Sequence, residues 1–391
     1  MRDEPAVLQS VQSRRVEMVL PSLIAAGMEM VTARLALGLR DRGWDVGVTC
    51  LIEDGDLAVG LRAAGIRVNT VAEPGFGGNF RPRHLERWFR EVRPDVVHVH
   101  SGAWIKGTHA ARRAGVRRVV FTEHGLLAHE PWFSNLLKRW GAAYSDRVVA
   151  VSAPLAQHLR RAGVPARKLR VVLNGVNVET FAPRPRAGVL RRELGIGQAF
   201  IMGHVARLAA EKNQMLLLDA FARVARDVPG AHLVIAGDGP LRESLRMRAT
   251  ASPAGNRIHF LGVRGEMAEL YREFDLFVLP SLAEGTSMSV LEAMASGLSI
   301  VATAVGGTPD LLDGGKCGVL VPAGDAEALA SALIGLTRDD ERRTALGCAA
   351  RKRAVECYSE ERMVEAYLAL YEESKTSQVV PERGELDPCA A

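Results

Sequence analysis

The chain repeats one rhythm from end to end: a short run rich in Val and Ile, a stretch with helical periodicity, then another run. In the first half the runs are RRVEMVLPSL, WDVGVTCLI, IRVNTVA, PDVVHVHSG, VRRVVFTEHG and DRVVAVSA. In the second half they are AFIMGHVAR, AHLVIAG, RIHFLG, DLFVLPS, SIVATAVGG and CGVLVPAG. Runs this apolar suit strands buried on both faces, and the helical stretches between them supply the crossovers that parallel strands need. The rhythm breaks once, at PRPRAGVLRRELGIG, where prolines, glycines and charges replace it. Two halves with one rhythm predict an α/β protein of two Rossmann-like domains facing one cleft. The expected division is a first domain over residues 1–190 and a second over 191–357. A helix in YSEERMVEAYLALYEES follows over 358–375, then an unpatterned, disordered tail over 376–391.

A length of 391 residues, 48% apolar and 24% charged, gives each half enough material for its own core. No stretch approaches eighteen uninterrupted apolar residues, so no membrane span is expected, and MRDEPAVLQSVQSRR has no apolar centre of the kind a signal peptide needs. Five cysteines without CxxC spacing point to reduced thiols and a cytoplasmic setting rather than disulfides or zinc. Charge is uneven: residues 1–190 hold 28 Lys and Arg against 17 Asp and Glu, whereas the remainder is net acidic. A basic first half suits an anionic acceptor or the anionic inner face of a membrane, touched peripherally. Within it, NFRPRHLERWFREVRPD interleaves Arg81, Arg83, Arg87 and Arg90 with Phe80, Leu85, Trp88 and Phe89. That pattern fits an interfacial helix, but it fits better a crossover helix with its apolar face on the sheet, since a helix must stand between those two strands anyway.

Two constellations carry chemistry. In AEGTSMSVLEAMASG, Glu284 and Glu292 lie eight positions apart, between the strand DLFVLPS and a helix that stops near Gly297. The C-terminal edge of a parallel sheet is where open α/β folds bind ligands. Two carboxylates there can grip sugar hydroxyls, while N–H groups at the helix start face a phosphate. In HVARLAAEKNQ, Arg207 and Lys212 follow another strand, two fixed cations suited to charge developing on a diphosphate. Taken singly, the first pair would be solvated glutamates on a capped helix and the second ordinary surface.

Taken together, these segments resemble the retaining glycosyltransferases of the GT-B fold, family 4-like, also called glycosyl transferases group 1. Arg207, Leu208, Glu211, Lys212 and Asn213 match one family motif, and Glu284, Glu292 and LEAMASG another. Asn174, Gly175, Val176, Phe181, VGGTPDLL and CGVLVPAGD extend the likeness over roughly Leu20 to Glu373. The resemblance implies a retaining, metal-independent hexosyltransferase without cofactor. It would take a nucleotide-diphosphate sugar and a carbohydrate or lipid-linked acceptor, in cell-envelope polysaccharide or glycolipid synthesis. It also implies roles. Arg207, Lys212 and the helix start at Ser287, Met288, Ser289 and Val290 would receive the diphosphate. Glu284 would position the donor sugar, Glu292 would hold the ribose, and Leu261 to Val263 would contact the base. His124, in FTEHG, would stand near donor sugar and acceptor. Gly27 would belong to a glycine-rich loop on the acceptor side, where Glu29 matches and Ala26 replaces an expected glycine. Trp132, Phe133, Lys138, Arg139 and Trp140 are candidates to line the acceptor side.

Three other patterns are set aside. Asp54-Gly55-Asp56 spells a metal-binding triplet in the wrong context and reads as a surface turn. His98 and His100 share a strand face without a third ligand nearby and read as a strand-end polar pair. AGDGPLRESL offers two of the three glycines of a dinucleotide fingerprint, with Arg242 at the third. A nucleic-acid partner has no module to support it. The alternatives kept are a nucleotide-sugar epimerase of the same fold and a non-catalytic scaffold that binds nucleotide sugar.

Overall fold

The computed structural model describes residues 14–73, 81–125 and 134–373. Phe80, Trp132, Phe133 and the tail over 376–391, each singled out above, lie outside the described residues. Among the described residues, thirteen strands form two parallel sheets. The first comprises β1 (Arg15–Ser22), β2 (Asp45–Glu53), β3 (Arg67–Thr70), β4 (Val96–His100), β5 (Arg118–Glu123), β6 (Arg147–Ala150) and β7 (Leu169–Val171), in the order β3-β2-β1-β4-β5-β6-β7. The second comprises β8 (Phe200–Val205), β9 (Ala231–Ala236), β10 (Ile258–Gly262), β11 (Leu276–Leu279), β12 (Ile300–Thr303) and β13 (Val319–Val321), in the order β10-β9-β8-β11-β12-β13. Both orders read outward from the first strand in each direction, the doubly wound arrangement of a Rossmann sheet. The α/β fold of two Rossmann-like domains is therefore as the rhythm required. β7 escaped it, its three residues being interrupted by Arg170.

Grouped by mutual contact, the described residues fall into two compact units. The first holds residues 14–73, 81–122, 139–148 and 368–373; the second holds 123–125, 134–138 and 149–367.

In the second unit, alternation along the strands builds two cores. On β9, Val234 and Ala236 join one and Leu233 and Ile235 the other; on β11, Phe277 and Leu279 join one and Leu276 and Val278 the other. Successive side chains of a strand point to opposite faces, so a sheet covered by helices on both sides must be apolar at every position. Register is fixed accordingly, with Met202 beside Leu233 and Phe277 beside Ile300.

The patterns set aside have structural uses. Asp54 pairs with Arg62 at 2.6 Å, both near the surface. Asp238 pairs with Arg242 at 2.8 Å, and a Cβ on Gly237 or Gly239 would meet the backbone of Ala206 or Leu208 at 2.0 or 2.5 Å. Those glycines serve close packing of two strand-end loops. In the helix Arg83–Val92, Leu85 and Phe89 are buried and Trp88 Nε1 donates to Thr49 Oγ1 at 3.0 Å, so its apolar face looks into the first unit. Cys50, Cys317 and Cys348 are free thiols, and Cys389 lies outside the described residues.

Candidate active site

The second sheet reverses direction between β8 and β11, and a crevice opens at the C-terminal ends of two such strands because their crossovers leave to opposite sides. Both expected motifs start there. After β8 ends at Val205, Arg207 enters a loop that tightens into a 3-10 turn, Ala210–Lys212. Asn213, at φ +51°, then hands the chain to the helix Gln214–Asp227. The loop is braced from the side: Leu208 N–H donates to the Asp238 carbonyl at 2.9 Å and Leu241 N–H to the Leu208 carbonyl at 3.0 Å. After β11 ends at Leu279, a loop carries Glu284 to Ser287, whose side chain caps the helix Met288–Ala295 by accepting from the Val290 N–H.

The two loops meet through charge. Lys212 Nζ donates to Glu284 Oε1 at 2.6 Å, and Ser281 Oγ donates to the same oxygen at 2.6 Å. The Glu284 side chain is 6% exposed and that of Lys212 is 21% exposed. Removing a pair of ions this far from water costs desolvation that the attraction barely offsets, so such a pair does more for placement than for stability. Leu282 N–H donates to the Glu211 carbonyl at 2.7 Å, a second tie between the loops.

Arg207 is placed differently from its expected partner. Its guanidinium pairs with Glu211 four residues on and remains 66% exposed, so it does not share the Glu284 oxygen. Glu292 is buried in the helix that Ser287 caps. Val263, 75% exposed, stands just past β10, after Gly262 at φ +68°. His124 packs by its backbone on the Glu284 loop, since a Cβ on Gly285 would lie 2.4 Å from the His124 carbonyl oxygen. Burial pushes its imidazole down to about 3, so the ring is neutral at physiological pH. Gly27 belongs to the first unit, where it opens the helix Gly27–Arg40. A Cβ there would meet nothing within 4 Å, so glycine is not demanded by space. Lys138 is buried and lies 2.8 Å from the His158 ring, while Trp140 packs near His109 and Tyr144.

Several contributors went unnoticed in the sequence. Ser281, which shares Glu284 with Lys212, is signalled only by its place at a strand end. Gly306, at φ +54°, backs the same loop so tightly that a Cβ would stand 1.8 Å from the Glu284 carbonyl oxygen. Thr286 Oγ1 donates to the Val151 carbonyl at 2.6 Å. His204 and Gln214 lie beneath the Arg207 loop and offered no signal, His204 being one polar residue in an apolar run and Gln214 one of several polar residues leading into a helix.

With the geometry in view, comparison with known proteins gives the following. A family model described as Glycosyltransferase Family 4 matches residues 25–180, and one described as Glycosyl transferases group 1 matches residues 199–339. The N-acetyl-alpha-D-glucosaminyl L-malate synthase of Bacillus anthracis is 30% identical over 285 residues, covering 71% of this chain and 74% of that protein. The GDP-mannose-dependent alpha-(1-6)-phosphatidylinositol monomannoside mannosyltransferase of Mycobacterium tuberculosis is 31% identical, over 74% of this chain and 79% of its own. Among solved structures, Anabaena HepE in complex with UDP and glucose superposes with a TM-score of 0.82 at 23% identity, covering 91% of this chain and 99% of that one.

Proposed function

We propose a reaction from one premise: this chain belongs to the glycosyltransferases of group 1 and family 4, GT-B enzymes that act on nucleotide sugars. The reaction proposed is retaining transfer of a hexose from a nucleotide-diphosphate sugar to an acceptor hydroxyl, without a metal. The observation that carries it is the Lys212–Glu284 pair at the switch point of the second sheet. Lys212 stands ready to meet the diphosphate and Glu284 the hydroxyls of the donor sugar. Glu284 Oε1 is already held by Lys212 and Ser281, which suits a positioning carboxylate better than a nucleophile. The bond from C1 to the departing phosphate oxygen breaks, a bond from C1 to the acceptor oxygen forms on the same face, and the leaving phosphate takes the acceptor proton. Arg207 and the helix start at Ser287 to Val290 share the phosphate charge, Glu292 holds the ribose and Val263 flanks the base. Neutral His124 sits beside the donor sugar, and Gly27 has a part in acceptor binding. The functional boundary between the two domains falls near residue 190.

For the acceptor we propose a carbohydrate or lipid-linked hydroxyl in envelope polysaccharide or glycolipid synthesis. The relative from Mycobacterium tuberculosis, named for a phosphatidylinositol mannoside, supports that class. No helix among the described residues is long and apolar enough to cross a membrane. Contact with an anionic surface would therefore be peripheral and electrostatic, through arginines of the first half. Failure to co-sediment with anionic liposomes at low salt would remove that part.

The reaction is tested by thermal unfolding with UDP, GDP, ADP, TDP and their common sugars. One nucleotide at a hundred times its dissociation constant adds about 2.7 kcal/mol of stability, and Glu292→Ala abolishes the gain. No shift with any nucleotide would sink the assignment.

A further inference from the structure

Beneath the loop that carries Arg207 and Lys212, two wholly buried side chains form a chain of hydrogen bonds in which each proton has one possible place. His204 Nδ1 lies 2.9 Å from the Val278 carbonyl oxygen. A carbonyl only accepts, so Nδ1 carries the proton and Nε2 presents its lone pair. Gln214 Nε2 lies 3.2 Å from that lone pair and 2.8 Å from the Arg207 carbonyl oxygen. Both neighbours are acceptors, so the amide nitrogen occupies that corner and donates one N–H to each. The reversed amide would set oxygen against two lone pairs.

Neither side chain is exposed to solvent. Burial drives the His204 imidazole down to about 4 against the Val278 hydrogen bond, and the Lys212 charge pushes the same way. A neutral ring with a free Nε2 lone pair is therefore the resting state. The Gln214 backbone opens the helix that follows the turn, and its side chain reaches back over the turn to the Arg207 carbonyl. The Arg207 carbonyl thus receives a hydrogen bond from a residue whose orientation His204 dictates.

We infer that Gln214 is a positioning residue for the diphosphate of the donor: by gripping the Arg207 carbonyl, with His204 fixing its amide, it sets where the Arg207 and Lys212 cations stand. This rests on the role proposed above for those two cations. It adds a buried His–Gln pair, remote from the ligand itself, to what determines phosphate binding. A lost N–H here leaves the buried His204 Nε2 and the part-buried Arg207 carbonyl unmet, and the loop can then relax away from its ligand-ready shape.

The test uses the full-length protein and inorganic pyrophosphate, the part common to every diphosphate donor. Long-range nitrogen NMR on the His204 side chain comes first: protonation at Nδ1 is expected, and protonation at Nε2 would overturn the network. Affinity for pyrophosphate by calorimetry comes second. Arg207→Ala is expected to weaken it about tenfold, and Gln214→Leu, close in shape but without N–H groups, about fivefold. The double variant is expected to fall short of full multiplication of the two effects, because Gln214 acts in part through Arg207 and in part through Lys212. Full multiplication of the two effects would overturn the inference. If Arg207→Ala changes nothing, the cation's own role fails, and that failure is recognisable because the His204 protonation pattern stays intact. Gln214→Glu gives a readout independent of binding. An acceptor-only carboxylate against Nε2 should draw a proton onto His204 and move its titration upward towards the ordinary imidazole range; an unmoved titration would overturn the pairing.

Discussion

The two sheets share a strand order, yet their switch points are finished in opposite ways. In the first unit, His98 and His100 stand at the end of β4 beside β1, and both rings are fully buried. His98 Nδ1 lies 2.7 Å from the Tyr371 hydroxyl and Nε2 2.7 Å from Thr122 Oγ1, while His100 Nδ1 lies 3.4 Å from Thr32 Oγ1. Polar groups at those strand ends are consumed by one another. At the corresponding place in the second unit, Lys212 keeps 21% of its side chain exposed and Arg207 66%. Topology supplies a crevice to both; side-chain chemistry decides which stays open to a ligand. A buried, hydrogen-bonded cluster rigidifies, while an ion pair whose lysine is partly exposed can exchange partners for a phosphate or a sugar hydroxyl.

The strongest way to break this contrast is to remove the lysine. Lys212→Ala should lower turnover by about 10²–10³-fold, the effect of losing one charge-stabilising group in a site of this kind. It should also cost stability, because Glu284, 6% exposed, loses the partner of a buried ion pair. Adding Glu284→Gln should restore the melting temperature and leave turnover low. Turnover near wild type in purified Lys212→Ala would place the site elsewhere.

Next in size is acid. His204 is held neutral, down to about 4, whereas the unfolded chain takes up that proton near pH 6.5. Between those values the unfolded state binds more protons, so stability falls as pH drops, by on the order of 3 kcal/mol for this one group. The first unit contributes the opposite slope. Glu17, fully buried on β1, has its carboxyl pushed up by burial, against hydrogen bonds from Thr49 and Trp88. Its native form keeps a proton that the unfolded chain releases above about pH 4.5, so its contribution falls as pH rises from there through its folded pKa. Unfolding followed across pH should show His204→Gln flattening the acid limb and Glu17→Gln flattening the other. Identical pH profiles for all three proteins would remove the contrast.

A third test separates backbone strain from placement. Gly306 and Gly314 both hold left-handed backbone, at φ +54° and +63°, but only Gly306 has a neighbour: the Glu284 carbonyl, 1.8 Å from where a Cβ would go; around Gly314 nothing lies within 4 Å. Gly314→Ala should cost about 1 kcal/mol of stability with turnover intact. Gly306→Ala must displace the Glu284 backbone, and turnover should drop roughly a hundredfold. Equal effects of the two on turnover would show that the close approach does not matter.

Much of this was legible in the sequence because burial on both faces leaves long apolar runs, and apolar runs are what a reader can see. Twelve of the strands announced themselves that way; Leu169–Val171, a three-residue edge, did not. Glu284 and Lys212 were legible through their match to two family motifs in register, since singly each reads as ordinary surface. Their direct pairing was not, since they are 72 positions apart and spacing carries no information about loops that meet in space. Gly306 was missed for the same reason, since it backs Glu284 from the loop after another strand. Ser281, three positions from Glu284, and His204, one polar residue in an apolar run, look like ordinary satisfied residues, and Gln214 reads as the polar start of a helix. In the arginine-rich helix the preferred reading, an apolar face laid on the sheet, agrees with the structure: the hydrogen bond from Trp88 to Thr49 and the burial of Phe89 turn that face inward.

The smallest expected effect probes the closed switch point. Tyr371→Phe keeps the ring and its tilted contact with Trp44, centroids 5.6 Å apart, and removes only the hydroxyl from His98 Nδ1. A buried imidazole nitrogen that loses one partner costs about 1–2 kcal/mol, a fall of a few degrees in melting temperature. Turnover per folded molecule and the shift caused by nucleotide should not change, because the histidines of the first unit hold strands together and touch no ligand in the proposed reaction. A variant as stable as wild type but slower would reverse the reading of the two switch points. His98 would then be part of the working machinery, and the first sheet, like the second, would keep its strand ends for chemistry.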